Sequence, residues 1–90
     1  MIISKRNLKS AFVGFGDWKE LVVLHKDVEY RVQIKQFDKG SEFGIDGGRI
    51  SKLSIRKGSK EICNYDRGWD FEPSTEDGKA VLKEVLKNEN

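Results

Sequence analysis

Val28-Glu29-Tyr30-Arg31-Val32-Gln33-Ile34-Lys35 alternates apolar and polar side chains without a break. In a β-strand successive side chains point to opposite faces, so this alternation makes one dry face and one wet face. Upstream, Leu21-Val22-Val23-Leu24 is apolar on both parities, as in a strand covered on both sides. His25-Lys26-Asp27 is too short to do more than reverse the chain, so the two strands form an antiparallel hairpin.

Downstream, Asp38-Lys39-Gly40-Ser41-Glu42 is turn chemistry and Phe43-Gly44-Ile45 reads as a short strand. Asp46-Gly47-Gly48 reads as a tight hairpin, because glycine tolerates positive φ. Arg49 to Lys57 is a further strand in which Leu53 and Ile55 share one parity and Ile50 takes the other. That parity switch predicts a bulge near Ser51. Lys57-Gly58-Ser59-Lys60 closes a hairpin onto Glu61 to Tyr65.

After Pro73 the period changes. Ser74 or Thr75 can cap a helix, with Glu76 and Asp77 in its positive first turn. Val81, Leu82, Val85 and Leu86 form one stripe, and Lys79, Lys83 and Lys87 line the other side. The stripe has to bury, and the dry sheet face is the surface available. The expected fold is α+β: an antiparallel meander of four to five strands with one C-terminal helix packed on one face. One domain spans 1–90, with the sheet over 17–71 and the helix over 74–88. Residues 1–16 are the least legible. Ile2 to Phe12 reads as a short helix through Leu8, Ala11 and Phe12, and Ala11 to Gly16 reads as an extended, glycine-alternating segment.

Composition narrows the function. The apolar share is 37% and the charged share 36%, yet nine aromatics supply enough bulk for a small core. The net charge of +2 does not by itself indicate nucleic acid. A lone cysteine cannot form an internal disulfide, which suits a reducing cytoplasm. Met1-Ile2-Ile3 runs at once into Ser4-Lys5-Arg6, and no apolar run approaches the ~20 residues of a transmembrane helix, so a membrane role is not expected. No motif for a metal, nucleotide cofactor or nucleophile–base pair is present; His25 is the only histidine, and Cys63 reads as a small buried hydrophobe. No enzyme is expected, and no cofactor.

Two surfaces stand out. Asn64-Tyr65-Asp66-Arg67-Gly68-Trp69-Asp70 concentrates aromatics, carboxylates and a guanidinium where small polar residues would serve a plain connection. Trp, Tyr and Arg anchor interfaces, so Tyr65, Arg67 and Trp69 are candidate anchors of a protein partner, with Asp66 and Asp70 setting charge preference. The rival is nucleic acid on Arg49, Lys52, Arg56, Lys57 and Lys60, a run of five cations with no acid among them. A wet sheet face with free edges is also compatible with a homodimer.

The succession Tyr30-x-Val32, Phe37, Phe43-Gly44-Ile45-Asp46-Gly47-Gly48-Arg49-Ile50-Ser51-Lys52-Leu53 and Asn64-Tyr65-Asp66-Arg67-Gly68-Trp69 resembles a family of small uncharacterised proteins from Gram-positive bacteria and their phages. The resemblance covers roughly residues 15 to 86. It implies a phage, prophage or accessory gene in a bacterial cytoplasm and carries no activity, ligand or catalytic residue.

Overall fold

The computed structural model describes residues 1–8 and 17–90. The expected extended segment from Ala11 to Gly16 lies outside the described residues. Six strands, β1 (Ile2–Leu8), β2 (Asp17–His25), β3 (Val28–Gln36), β4 (Ile50–Lys57), β5 (Lys60–Asp66) and β6 (Trp69–Phe71), form one antiparallel sheet in sequence order. One helix, α1 (Glu76–Glu89), follows. The α+β meander is as expected, with six strands rather than four or five. The additions are the two edges: β1, where the helical reading of Ile2 to Phe12 fails as far as Leu8, its remainder lying outside the described residues, and the short β6.

The pairing explains the pattern. Leu21, Val32, Ile55 and Cys63 meet across β2 to β5, as do Ile34, Leu53 and Tyr65 across β3 to β5. These residues are buried, and with Val23, Tyr30, Ile45 and Ile50 they form the core beneath Val81 and Val85 of α1. Between Lys35↔Lys52 and Gln36↔Ile50 the register slips, leaving Ser51 as the extra residue, so the bulge falls where the parity switch placed it. Lys26 and Asp27 both take positive φ (50° and 62°), as a two-residue type I′ hairpin requires.

Thr75 caps α1, its hydroxyl accepting from the Gly78 amide at 3.0 Å. Gly78 allows a close approach: a Cβ there would lie 3.0 Å from the Pro73 side chain and 3.3 Å from Ile62, a tight fit. At the other end, the Glu89 carboxylate is buried between the ammonium groups of Lys5 (2.7 Å) and Lys19 (3.4 Å), tying β1 and β2 to the helix.

The expected strand at Phe43 to Ile45 and hairpin at Asp46-Gly47-Gly48 are not formed. Ile45–Gly47 is instead a 3-10 turn, in which Asp46 and Gly47 take positive φ (51° and 73°) while Gly48 stays extended. The Asn90 side chain staples this turn, donating to the Ile45 carbonyl (2.9 Å) and accepting from the Ile50 amide (3.1 Å). No helix among the described residues is long and apolar enough to cross a membrane.

Candidate recognition site at the Arg67 end of the sheet

The Ser51 bulge organises one end of the sheet. A bulged residue loses its ladder partner, and here the Ser51 carbonyl accepts instead from the Arg67 amide at 2.9 Å. That bond, with the Asp66 amide donating to the Gly68 carbonyl (2.9 Å), holds Arg67 at φ 58° in the turn joining β5 to β6. A non-glycine residue in the left-handed region costs about 1–2 kcal/mol, and the adjacent Gly68 is not the residue that takes it. Lys26, Asp27 and Asp46 lie in the same region (φ 50°, 62° and 51°), each in a tight turn, and a two-residue hairpin loop calls for positive φ here too.

The side chains around it divide sharply. Tyr65 is buried, and its hydroxyl donates to the Phe43 carbonyl at 2.8 Å. Burial, with the Asp46 carboxylate as a smaller cause, raises its phenol above the ordinary range. Tyr65 is therefore a support of the corner and not an exposed anchor. Trp69 stacks edge-on against it at 5.0 Å and remains 37% exposed. Asp70 is exposed on β6, and Asp66 reaches both Arg67 (3.3 Å) and Lys52 (3.8 Å). Phe71, which sequence reasoning passed over, is 44% exposed on the same edge strand. Among the described residues no strand pairs with the outer edge of β6.

Beside this edge lies an open groove of about 730 Å³ between the loop after β3 and the bulge. Phe37, Phe43, Ser41, Ser51 and the cations Lys35, Lys39, Lys52 and Arg67 line it, with Asp38 the one acid among them. Arg49 pins the loop, its carbonyl accepting from the Phe37 amide and its Nε donating to the Phe37 carbonyl (3.0 Å each). The Ser41 amide adds a bond to the Gly48 carbonyl (3.2 Å). Sequence reasoning missed Phe37 and Phe43. Two phenyl groups flanking the polar stretch from Asp38 to Glu42 were the available signal.

The five cations proposed for nucleic acid are not gathered on one surface. Arg49 is spent on Phe37, Lys52 faces Asp66, and Arg56 approaches Glu61 at 3.9 Å. Lys57 and Lys60 pair at the hairpin tip at the opposite end of β4, so only Lys52 reaches the groove. Glu61 is held below the ordinary carboxylate range, first by the Ser54 hydroxyl and then, against the opposing effect of burial, by Asn64 and Arg56.

His25 bonds Asp77 at 3.0 Å, and this contact, followed by Lys26, lowers the Asp77 carboxyl. Cys63 is fully buried, and burial, reinforced by Glu61 and Glu72, pushes its thiol up to about 12. At neutral pH it is not a thiolate, so it offers no nucleophile. Among the described residues no three His, Cys, Asp or Glu side chains converge as a metal ligand set.

No curated protein and no solved structure matches the chain. A family model described as "Domain of unknown function (DUF7678)" matches residues 17–90, from the start of β2 to the last residue, and so takes in the bulge, the groove and the Arg67 corner. The chain belongs to this family of unknown function.

Proposed function

We propose that the chain is a non-enzymatic protein-interaction module whose partner docks an extended segment along β6 and the Arg67 turn. The observation that carries this reading is the pair of exposed aromatics, Trp69 and Phe71, on an edge strand next to the exposed side chain of Arg67, whose backbone sits at φ 58°. An unpaired strand edge offers its backbone to a partner strand, and side chains to either side of it supply selectivity. The register sets Trp69 opposite Tyr65 and Phe71 opposite Asn64, with an irregularity between the two pairs, so a partner strand on the free edge would run past both rings. Asp66 and Asp70 bias the edge toward segments carrying cations.

The setting we infer is a bacterial cytoplasm, with a phage or prophage gene as the source. Its support is the single, buried cysteine and the resemblance drawn from the Tyr30 to Trp69 motifs.

Selection of peptides from a random display library on the immobilised chain tests the reading and needs no identified partner. Arg67→Ala and Trp69→Ala are each expected to weaken the selected peptides at least tenfold, as truncation of an interface anchor does. Arg67→Ala should leave the melting temperature nearly unchanged, because its side chain is 65% exposed. Peptides that bind both variants as well as the parent, or an Arg67→Ala chain that unfolds, would overturn the proposal.

A further inference from the structure

We infer that the groove beside Phe43 is a nucleotide-binding site, taking the phosphate on Lys35, Lys52 and Arg67 and the base on the phenyl rings. The ligand is a nucleotide unit, either free or as part of a single strand. This goes beyond the β6 reading, since it uses a different surface and shares only Arg67 with it.

The first ground is an electrostatic cost that the neighbouring carboxylates offset only in part. Lys35 and Lys52 stand directly opposite each other on β3 and β4. Like charges in that position destabilise a sheet. Lys35 lies over the Phe37 ring at 5.6 Å, and Lys39 and Arg67 add two more cations to the rim. Against these four stand Asp38 in the lining and the Asp66 carboxylate beside Lys52 and Arg67. A bound phosphate dianion would convert the opposed pair from a repulsion into a clamp.

The second ground is the pairing of that charge with flat apolar surface. Phe43 is 52% exposed, yet its backbone is fixed at both ends, its amide donating to the Ser41 hydroxyl (3.2 Å) and its carbonyl accepting from Tyr65. A large uncovered ring on a fixed backbone is a surface on which a base can stack. The volume of about 730 Å³ lies in the range of small-ligand sites. An acidic peptide would meet the cations but would bring no planar body to the rings.

The test is an amide chemical-shift titration of the full chain at low and then physiological salt. The probes are adenosine 5′-monophosphate, inorganic phosphate, a hexathymidylate strand and a hexaglutamate peptide. Saturable shifts at Lys35, Phe43, Lys52 and Arg67 with the mononucleotide are expected, weaker ones with inorganic phosphate, and all should fade with salt. Phe43→Ser and Lys52→Gln should each weaken the mononucleotide at least fivefold with the fold retained. Tighter binding of the hexathymidylate assigns the unit to a strand, and equal or weaker binding assigns it to a free nucleotide. No shifts at low salt, shifts away from the groove, or hexaglutamate matching the mononucleotide would overturn the inference. Trp69→Ala should leave this titration unchanged while weakening peptide capture at β6 at least tenfold, so failure of one reading is separable from failure of the other.

Discussion

Gly44→Ala is expected to lower the stability of the chain by roughly 2–4 kcal/mol, the range of a severe overpacking error. A Cβ at Gly44 would lie 1.8 Å from the Gly48 carbonyl oxygen and 2.7 Å from its carbon. Both are backbone atoms of a turn that cannot give. Gly48 donates to the Ile45 carbonyl at 2.8 Å and accepts from the Ser41 amide at 3.2 Å, and the Asn90 amide lies against it. The loop that carries Phe37 and Phe43 would have to open, so the groove should be lost with the stability. Gly68→Ala is the matched control, because nothing lies within 4 Å of a Cβ there. It should fall within about 0.5 kcal/mol of the parent, as surface changes do. Urea unfolding midpoints measure both; a Gly44→Ala loss no larger than that of the control would contradict the loop described here.

Glu89→Gln should cost about 2 kcal/mol at neutral pH. Removing one partner of a fully buried ion pair costs about 3–5 kcal/mol, and the figure is reduced here because Lys5 is half exposed. The Glu89 side chain itself is only 4% exposed. Burial alone would raise its carboxyl, but Lys5 and Lys19 together hold it below the ordinary range. A carboxyl depressed in the folded state stabilises it above the unfolded value of about 4.3, and that contribution disappears as pH falls through the folded value. The parent's advantage over Glu89→Gln should therefore be full at pH 7 and shrink steadily as the solution is acidified below about pH 5. Thermal melts of the two chains across that range check the sign. A difference that stays constant with pH would show that the carboxylate is not held by the two lysines.

The contrast between these sites explains which parts of the fold were legible from sequence. The alternation from Val28 to Lys35 is local information, and so is the parity slip between Ile50 and Leu53 that marks the bulge. The helix declared itself through Thr75 and the spacing of Val81 and Val85. β1 was hidden for a long-range reason. Its register is broken between Ile2 and Ser4, and Lys5, opposite the buried Leu21, is neutralised by a carboxylate 84 residues away. The two glycines after Asp46 suggested a hairpin, but Asp46 and Gly47 take the positive φ and make a 3-10 turn.

The site was half legible for the same reason. Arg67 and Trp69 could be singled out by residue type, whereas the groove needed the register that sets Lys35 against Lys52 and brings the Phe43 loop over Tyr65. Tyr65 was misjudged because an aromatic near a turn reads the same in sequence whether it faces solvent or plugs the core edge.

If Arg67 is kept at a strained backbone position for what its side chain recognises, the Arg67→Gly melting temperature will show it. Relief of the left-handed strain is worth about 1–2 kcal/mol, offset by about 0.4–1 kcal/mol for the extra freedom of glycine in the unfolded chain. The net gain of about 0.5–1 kcal/mol corresponds, in a domain of this size, to a rise of a few degrees. That rise is expected together with weakened capture of the peptides selected at β6. A melting temperature that falls, with peptide capture intact, would mean that Arg67 serves the fold and not a partner.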